Sequence, residues 1–280
     1  MFPEYMIEAG LARALERGEL LLDYQPQVDA RSGRVAAVEA LLRWRHPQRG
    51  LISPAVFIPA AERTGLIVPI GDWVLRAACL QSRRWLDAGL APVRMAVNLS
   101  ASQFSDERLA RRVEEALDGG GLEPPDLELE ITESMMARDP DAAALIARDL
   151  RASGVRLMID DFGTGFSSLA SLKRFPIDGL KLDRAFVAHL PHDRYDATIT
   201  RAVVAISRDL GLDLVAEGVE TDEQRLFLAD LGCGLLQGYL TGRPQSPERV
   251  AELLPPARRR ECVSLSAYRP AERRARRPAP

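Results

Sequence analysis

Cysteine is scarce in this sequence, and its spacing limits the metal and redox chemistry that the chain can support. The three cysteines, Cys79, Cys233 and Cys262, form no CxxC pair and are odd in number. This argues against a disulfide framework and a cysteine-ligated zinc site, and it is typical of a reducing compartment. Long apolar runs are also missing, since no stretch approaches the roughly 18 residues of a membrane span and no signal-peptide pattern is present. We therefore expect a cytoplasmic protein without a transmembrane segment.

Positive and negative charges are unevenly distributed along the chain, with a net positive charge over residues 255–280. That segment holds eight Arg and two Glu, net +6, whereas the whole chain of 280 residues carries −3, so the remainder stands at −9. An acidic body argues against binding a nucleic acid polymer, because such binding relies on Lys and Arg neutralising phosphates. We predict one large domain over residues 1–254 and a disordered basic tail over 255–280. The chain is expected to be either a stand-alone protein or part of one whose sensor or regulatory domain lies outside it.

A strand that ends in two acids is the most informative local feature. Aliphatic residues at 155, 157 and 159 alternate with residues of the opposite face, which is the period of a β-strand. Asp160 lies opposite those aliphatics, and Asp161 follows it. Gly163 and Gly165 then permit a tight turn. Paired acids at a strand tip are typical of a functional site, although Asp and Gly also occur together in ordinary turns.

The same construction recurs along the chain. The chain offers eight strand candidates, most of them with an alternating pattern, at residues 20–28, 35–43, 93–100, 127–132, 155–160, 180–182, 212–217 and 234–239. Apolar spacing predicts helices at 9–17, 72–88 and 141–152, and another that Ser105 caps, with Leu109, Val113 and Leu117 on one face. A hairpin-sized link over 29–34 makes the first two strands antiparallel. Alternating strands and helices in ~250 residues favour an α/β fold, a TIM-like (β/α)₈ barrel, with an open doubly wound sheet as the alternative.

Polar residues stand at or near the ends of five of these strands: Asn98, Glu130, Asp160, Lys181 and Glu217. In a barrel they should converge at one mouth, where Glu39 and Asp161 add two more carboxylates. Two carboxylates ~5 Å apart repel by ~3 kcal/mol at an effective dielectric near 20, so positive charge must be bound. Oxygen ligands favour Mg²⁺ or Mn²⁺ over Zn²⁺. Two such ions, sharing Asp160 as a bridge, suit in-line attack on a phosphodiester.

Eight short motifs, taken in order, carry a resemblance to a known family. They are YQP at Tyr24, EALLRW at Glu39, NLS at Asn98, EITE at Glu130, DDFGTGFSSL at Asp160, KLD at Lys181, AEGVET at Ala216 and QGYL at Gln237. From about Leu11 to Pro244 the chain resembles the EAL-type cyclic-di-GMP phosphodiesterases. The resemblance implies a barrel with its first strand reversed, a homodimer, and hydrolysis of cyclic di-GMP to linear pGpG with two Mg²⁺ or Mn²⁺ ions.

The resemblance also implies roles for individual residues. One ion would be held by Glu39, Asn98, Glu130 and Asp160. The other would be held by Asp160 and Asp161, with Glu217 alongside. Lys181 would orient or help deprotonate the attacking water, and Glu133 and Glu217 complete the catalytic group. Contacts to the nucleotide would come from Gln25, Arg43, Asp183 and Gln237. Glu133 and Glu220 would anchor the loop after Asp161.

Several of these roles have structural alternatives. In these alternatives, Lys181 only neutralises its acidic neighbours, Arg43 is a structural ion-pair partner, and Gln237 forms hydrogen bonds within the barrel. His189 and His192 lie outside the motifs and are not expected to be ligands. At the level of the whole chain, the alternatives are a catalytically silent cyclic-di-GMP receptor and a protein-interaction scaffold that keeps only the fold.

Overall fold

Nine strands form one sheet in the computed structural model, which describes residues 4–163, 172 and 174–257. They are β1 Leu20–Asp29, β2 Val35–His46, β3 Gly50–Ile52, β4 Arg94–Asn98, β5 Leu127–Thr132, β6 Arg156–Phe162, β7 Gly179–Leu182, β8 Asp213–Ala216 and β9 Leu235–Gln237. The strand order is β1-β9-β8-β7-β6-β5-β4-β2-β3, and a further pairing of β1 with β2 closes eight of the strands into a ring. β3 continues the sheet outside that ring as a hairpin on β2.

The predicted TIM-like barrel with a reversed first strand is confirmed. β1 runs antiparallel to both of its neighbours, β2 and β9. The other neighbours around the ring, from β2 through β4 to β9, are parallel. The carboxyl ends of β2 and of β4 to β9 therefore open at the same mouth, and the amino end of β1 lies beside them.

Helices cover the outside of the ring in the described part of the chain. They are α1 Glu4–Ala14, α2 Pro54–Thr64, α3 Ile67–Asp87, α4 Ala101–Phe104, α5 Leu109–Gly120, α6 Glu133–Arg138, α7 Pro140–Ala152, α8 Arg194–Leu210, α9 Asp222–Leu231 and α10 Pro247–Ala251, with short 3₁₀ helices at Pro124–Asp126 and Arg184–Phe186. Within the described ranges, none of them combines the length and the hydrophobicity needed to cross a bilayer.

Two helix starts differ from the prediction. α3 begins at Ile67 rather than at Asp72. Pro69 does not prevent this, because it lies in the first turn, where its missing N–H has no intrahelical partner to lose. α1 lies earlier than the predicted 9–17 and is followed by Gly18, whose φ of 65° is left-handed.

The predicted N-cap at Ser105 is wrong. Ser100 caps the short α4 instead, in a capping box with Gln103, and Ser105 lies at the C-terminal end of that helix. The next helix, α5, begins at Leu109 without a side-chain cap. Its predicted apolar face is buried, as Leu109, Val113 and Leu117 show.

The described chain ends against the segment after α3. The N–H of Ala91 donates to the carbonyl of Pro255, and the N–H of Ala257 donates to Gly89, both at 2.8 Å. The first residues after the predicted boundary at 254 therefore contact the barrel. The rest of the predicted basic tail, 258–280, lies outside the described residues, as does the loop segment 164–171 with Gly165.

An ionic layer lies at the amino ends of the parallel strands. Asp213 Oδ2 accepts from Arg94 at 2.8 Å and from Arg156 at 2.7 Å, and Arg156 also lies 3.4 Å from Glu128. Glu128 is only 1% exposed, and burial raises its pKa despite the two guanidinium groups. The layer belongs to the end of the barrel opposite the mouth and supports the fold, and the charge of Lys181 also acts on its Glu128.

Two adjacent glycines near the end of α5 provide a matched test of helix packing. A Cβ on Gly120 would lie 2.8 Å from the backbone carbonyl carbon of Cys79 in α3, whereas a Cβ on Gly119 would meet nothing within 4 Å. We expect Gly120→Ala to lower the free energy of unfolding by about 1–3 kcal/mol through overpacking. Gly119→Ala should raise it by about 0.5–1 kcal/mol through helix propensity. Urea denaturation of both variants measures this, and equal effects would show that α3 and α5 do not pack so closely.

Candidate active site

A single lysine lies at the centre of the acidic mouth. Lys181 Nζ is 2.6 Å from Glu217, 2.8 Å from Glu130, 3.3 Å from Asp160 and 3.5 Å from Glu39. Its side chain is 1% exposed. These residues come from strands that are distant in sequence, and the closed ring brings them together. The convergence predicted for the strand-end residues is therefore confirmed.

Side-chain amides complete the cluster on the side of β2. Asn98 Nδ2 donates to Glu39 Oε1 at 2.6 Å, and Gln237 Nε2 donates to Glu39 Oε2 at 2.5 Å. Gln237 also donates to Gln25 Oε1 at 3.2 Å, and Gln25 donates to the carbonyl of Gly242 at 3.0 Å. The amides predicted for this site thus share one network around the Glu39 carboxylate.

The pKa values reflect an excess of buried acid. Burial alone would lower the pKa of Lys181, but the neighbouring carboxylates, led by Glu130 and Glu39, raise it well above its ordinary value. Burial and the charge of Glu39 raise the pKa of Glu130 well above its ordinary value. Burial raises the pKa of Glu217 to about 7. Burial opposes ionisation of Glu39 too, but Lys181 and the Gln237 and Asn98 amides hold its pKa below the usual range. One lysine therefore does not neutralise the cluster.

The donor set fits a divalent cation. Asp160, Asp161 and Glu217 each bring a carboxylate oxygen into a group whose members lie within 4.8 Å of one another. Glu130 Oε1 is buried and has no hydrogen-bond partner among the described residues. All of these candidate ligand atoms are oxygens, which hard cations such as Mg²⁺ and Mn²⁺ prefer.

The backbone at the second acid of the pair is strained. Asp161 has a φ of 54°, and its N–H donates to Asp160 Oδ1 at 2.9 Å. A left-handed backbone at a residue other than glycine is retained only where its surroundings fix it, and such positions are common at functional sites. Immediately beyond, the N–H of Gly163 donates to Glu133 Oε1 at 3.2 Å. Glu133 thus contacts the start of the loop that it was predicted to anchor.

The remaining predicted residues lie around the edge of the mouth. Arg43 Nε donates to Asp23 at 2.9 Å, so the structure shows the ion pair that was the alternative to phosphate binding. Asp183 begins the second 3₁₀ helix by accepting from the N–H of Ala185 at 2.8 Å.

Burial and the charges of Asp160 and Asp183 raise the pKa of Asp161.

Glu220 was also predicted to anchor the loop. It pairs with Arg184 at 2.8 Å. The loop segment that it was predicted to contact lies outside the described residues.

One residue of the network was missed by the sequence analysis. Gln27 is completely buried, and its Nε2 donates to Gln237 Oε1 at 2.9 Å. The available signal was the period of β1, because Gln27 lies two residues after Gln25 and so shares its face.

The fold and the site together define a TIM-like barrel with one reversed strand and a carboxylate-rich mouth. The EAL domain family model matches residues 8–244, and the chain belongs to this family.

Relatives with assigned activities support this placement. The bifunctional diguanylate cyclase/cyclic di-GMP phosphodiesterase MucR of Pseudomonas aeruginosa is 55% identical over 240 residues, which are 86% of this chain and 35% of MucR. The cyclic di-GMP phosphodiesterase NbdA of the same organism is 44% identical over 251 residues, 90% of this chain and 32% of NbdA. This chain therefore spans about a third of the length of these two relatives.

A solved structure matches over nearly its whole length. The P. aeruginosa MucR phosphodiesterase in complex with cyclic di-GMP is 54% identical to this chain, with a TM-score of 0.84. The match covers 88% of this chain and 99% of that structure.

Proposed function

We propose that the chain is a cyclic-di-GMP phosphodiesterase that hydrolyses one phosphodiester bond to give linear pGpG. The observation that carries this proposal is the cluster of four carboxylates around buried Lys181, at the mouth of a barrel of the EAL family. The likeness to a phosphodiesterase structure that holds cyclic di-GMP supports the choice of substrate.

Two Mg²⁺ or Mn²⁺ ions would be held by the residues already shown to converge. The proposed ligands of the first ion are Glu39, Asn98, Glu130 and Asp160. Those of the second are Asp160, Asp161 and Glu217. When bound, such ions neutralise the carboxylates, polarise the phosphoryl oxygens and lower the pKa of water. Glu133 would keep the start of the loop in place through Gly163, and so hold Asp161 in its strained conformation.

Lys181 is protonated at neutral pH in the arrangement described, because its pKa is raised. An ammonium group donates hydrogen bonds and accepts none, so its role would be to orient the attacking water and offset developing negative charge. The water oxygen forms a new bond to phosphorus while the bond to the ribose 3′ oxygen breaks in line with it. The attacking water gives up a proton and the leaving 3′ oxygen takes one up, so one water is consumed and the product carries a 5′-phosphate.

The substrate would lie over the mouth, between the amide network and the outer charges. A cavity of about 130 Å³ beside Glu217 is lined by Gln25, Gln237 and Tyr239, and it offers room for part of the nucleotide. Gln25 and Gln237 would contact the substrate from this cavity. Arg43 would bind a phosphate by exchanging its contact with Asp23 for one with the ligand, and Asp183 would support the site beside Asp161.

Hydrolysis itself is the direct test. Purified protein is incubated with cyclic di-GMP and Mg²⁺, and the products are resolved by chromatography and identified by mass. We expect pGpG to appear in proportion to the substrate lost. If the protein binds cyclic di-GMP tightly but never cleaves it, the protein is a receptor and not an enzyme. If it neither binds nor cleaves cyclic di-GMP, the scaffold alternative replaces both.

Removal of the metal should affect both activity and stability. Because the carboxylates repel one another without cations, excess EDTA is expected to abolish hydrolysis and lower the melting temperature. Mg²⁺ or Mn²⁺ at about 100 times its dissociation constant should raise the free energy of unfolding by roughly 2.7 kcal/mol. Thermal melts and product assays in parallel measure the two effects. Full activity in excess EDTA would contradict a metal-dependent reaction.

A further inference from the structure

Two cross-strand pairs link β1 to its neighbours inside the barrel. Gln25 lies opposite Glu39 of β2, and Gln27 lies opposite Gln237 of β9. Gln27 is 0% exposed, and Gln237 is 5% exposed. Since β1 closes the ring, its inward side chains connect the two strands on either side of the closure. Gln27 itself lies deeper than the mouth, behind Gln237.

The orientation of the Gln237 amide follows from the chemistry of its neighbours. The ionised Glu39 carboxylate only accepts hydrogen bonds, so the NH₂ group of Gln237 must face it. The carbonyl oxygen of the same amide then points away from Glu39 and needs a donor inside the barrel. Gln27 Nε2 is that donor, at 2.9 Å. Without it, a buried carbonyl would lose its partner, which is unfavourable and favours other orientations of the amide.

The Glu39 carboxylate is held by two amides, one on each oxygen. Asn98 donates to Oε1 and Gln237 donates to Oε2. Its orientation therefore depends on whether each amide presents its NH₂ group. Asn98 has its own proposed place at the metal. The Gln237 amide is oriented by Gln25, which accepts from its NH₂ group, and by Gln27, which donates to its carbonyl oxygen.

We propose that Gln27 is a positioning residue: it fixes the Gln237 amide with its NH₂ group toward Glu39, and thereby fixes the Glu39 carboxylate for binding a divalent cation. The proposal rests on the proposed function in taking Glu39 as a metal ligand. Partners that orient a ligand from outside the metal's own shell commonly contribute 10–100-fold to metal affinity. Among the described residues, Gln27 forms no hydrogen bond with a proposed metal ligand. It reaches the site only through its hydrogen bond to Gln237, a proposed substrate contact, so it acts through that residue.

A calorimetric titration of the metal-free protein with Mn²⁺, in the absence of nucleotide, tests this directly. Gln27→Met keeps the length of the side chain and removes the donor. We expect the Mn²⁺ dissociation constant to rise about 10-fold. In hydrolysis assays, the Mn²⁺ concentration for half-maximal activity should rise by the same factor, while kcat at saturating Mn²⁺ stays within about 2-fold of wild type. Gln81→Met, which removes a buried amide from α3, should change neither quantity.

A double-mutant cycle separates positioning from a general loss of packing. If Gln27 acts through Gln237, Gln27→Met should add almost nothing to the loss of Mn²⁺ affinity that Gln237→Met causes. Independent, additive losses would overturn the proposal, as would unchanged Mn²⁺ affinity in Gln27→Met. Should that variant not fold, Gln27→Asn, whose amide is too short to reach Gln237, serves the same purpose with the same expected loss.

The affinity measurement does not depend on catalysis. If the wild type never cleaves cyclic di-GMP, the proposed function fails, yet Mn²⁺ binding still decides whether Gln27 positions Glu39. If the wild type cleaves the substrate and Gln27→Met binds Mn²⁺ normally, the proposed function stands and this inference fails.

Discussion

Lys181→Met is expected to lower kcat by ~10²-fold or more at saturating Mg²⁺, with little change in substrate affinity. Methionine fills about the same volume but carries no charge and donates no hydrogen bond. Lys181 is 1% exposed and lies within 3.5 Å of four carboxylates, so its positive charge is buried at the centre of the proposed site. If its ammonium orients water mainly in the transition state, its loss appears in kcat rather than in binding. Single-turnover cleavage measures kcat, and calorimetry with Ca²⁺ replacing Mg²⁺ measures substrate affinity.

The same variant should also be less stable without metal. Removing one partner of a buried ion pair costs about 3–5 kcal/mol, because the remaining charge is left uncompensated. The pKa of Glu217 is about 7 in the presence of Lys181, which lowers it, so in the variant Glu217 should ionise at a higher pH. An ionised Glu217 is destabilising there, so the penalty is largest at high pH and shrinks as the pH falls and Glu217 becomes protonated. Urea denaturation in EDTA at two pH values tests the direction.

The effects on turnover and on stability distinguish two roles for Lys181, neutralising the neighbouring carboxylates and acting on the attacking water. If Lys181 only neutralises its neighbours, saturating Mg²⁺ should restore both the stability and the turnover of Lys181→Met. If it acts on the water, Mg²⁺ restores stability while kcat stays low. Arg208→Met, which removes a positive charge from the exposed end of α8, controls for the change in net charge and should leave both quantities unchanged. Wild-type turnover in Lys181→Met would contradict the catalytic role.

The architecture could be predicted because it rests on local periodicity. Alternation with period 2 marks most of the barrel strands, and the short link before Val35 favours an antiparallel hairpin. Once the strands are parallel and the ring is closed, the polar residues at their carboxyl ends have only one place to meet. The cluster around Lys181 therefore follows from the same pattern that predicts the fold.

Contacts that depend on the register between distant elements could not be predicted. The partner of Arg43 is Asp23, and only the pairing of β1 with β2 brings them together. Gln27 became part of the site because β1 also pairs with β9, where Gln237 lies opposite. The cap at Ser105 failed for a local reason, since Ser100 and Gln103 close a separate short helix before it. Patterns in the sequence show which face a residue occupies but not which residue it meets.

Asp160→Asn is expected to reduce hydrolysis by at least ~10³-fold, because the proposed bridge between two ions loses its charge and several kcal/mol of stabilisation with it. Asn has the same shape as Asp, and its carbonyl oxygen can still accept from the N–H of Asp161, so the strained backbone there should persist. The change therefore tests charge rather than conformation.

The metal dependence of stability makes this prediction specific. In wild type, Mn²⁺ should raise the melting temperature, whereas in Asp160→Asn it should have little effect, because both proposed ions use this residue. The metal-free variant should itself be at least as stable as metal-free wild type, since one of the carboxylates near Lys181 has become neutral. Asp209→Asn, an acid exposed at the end of α8, should retain both hydrolysis and the Mn²⁺-dependent rise. A full Mn²⁺-dependent rise in Asp160→Asn would show that the cation binds without Asp160, and the bridging assignment would have to be abandoned.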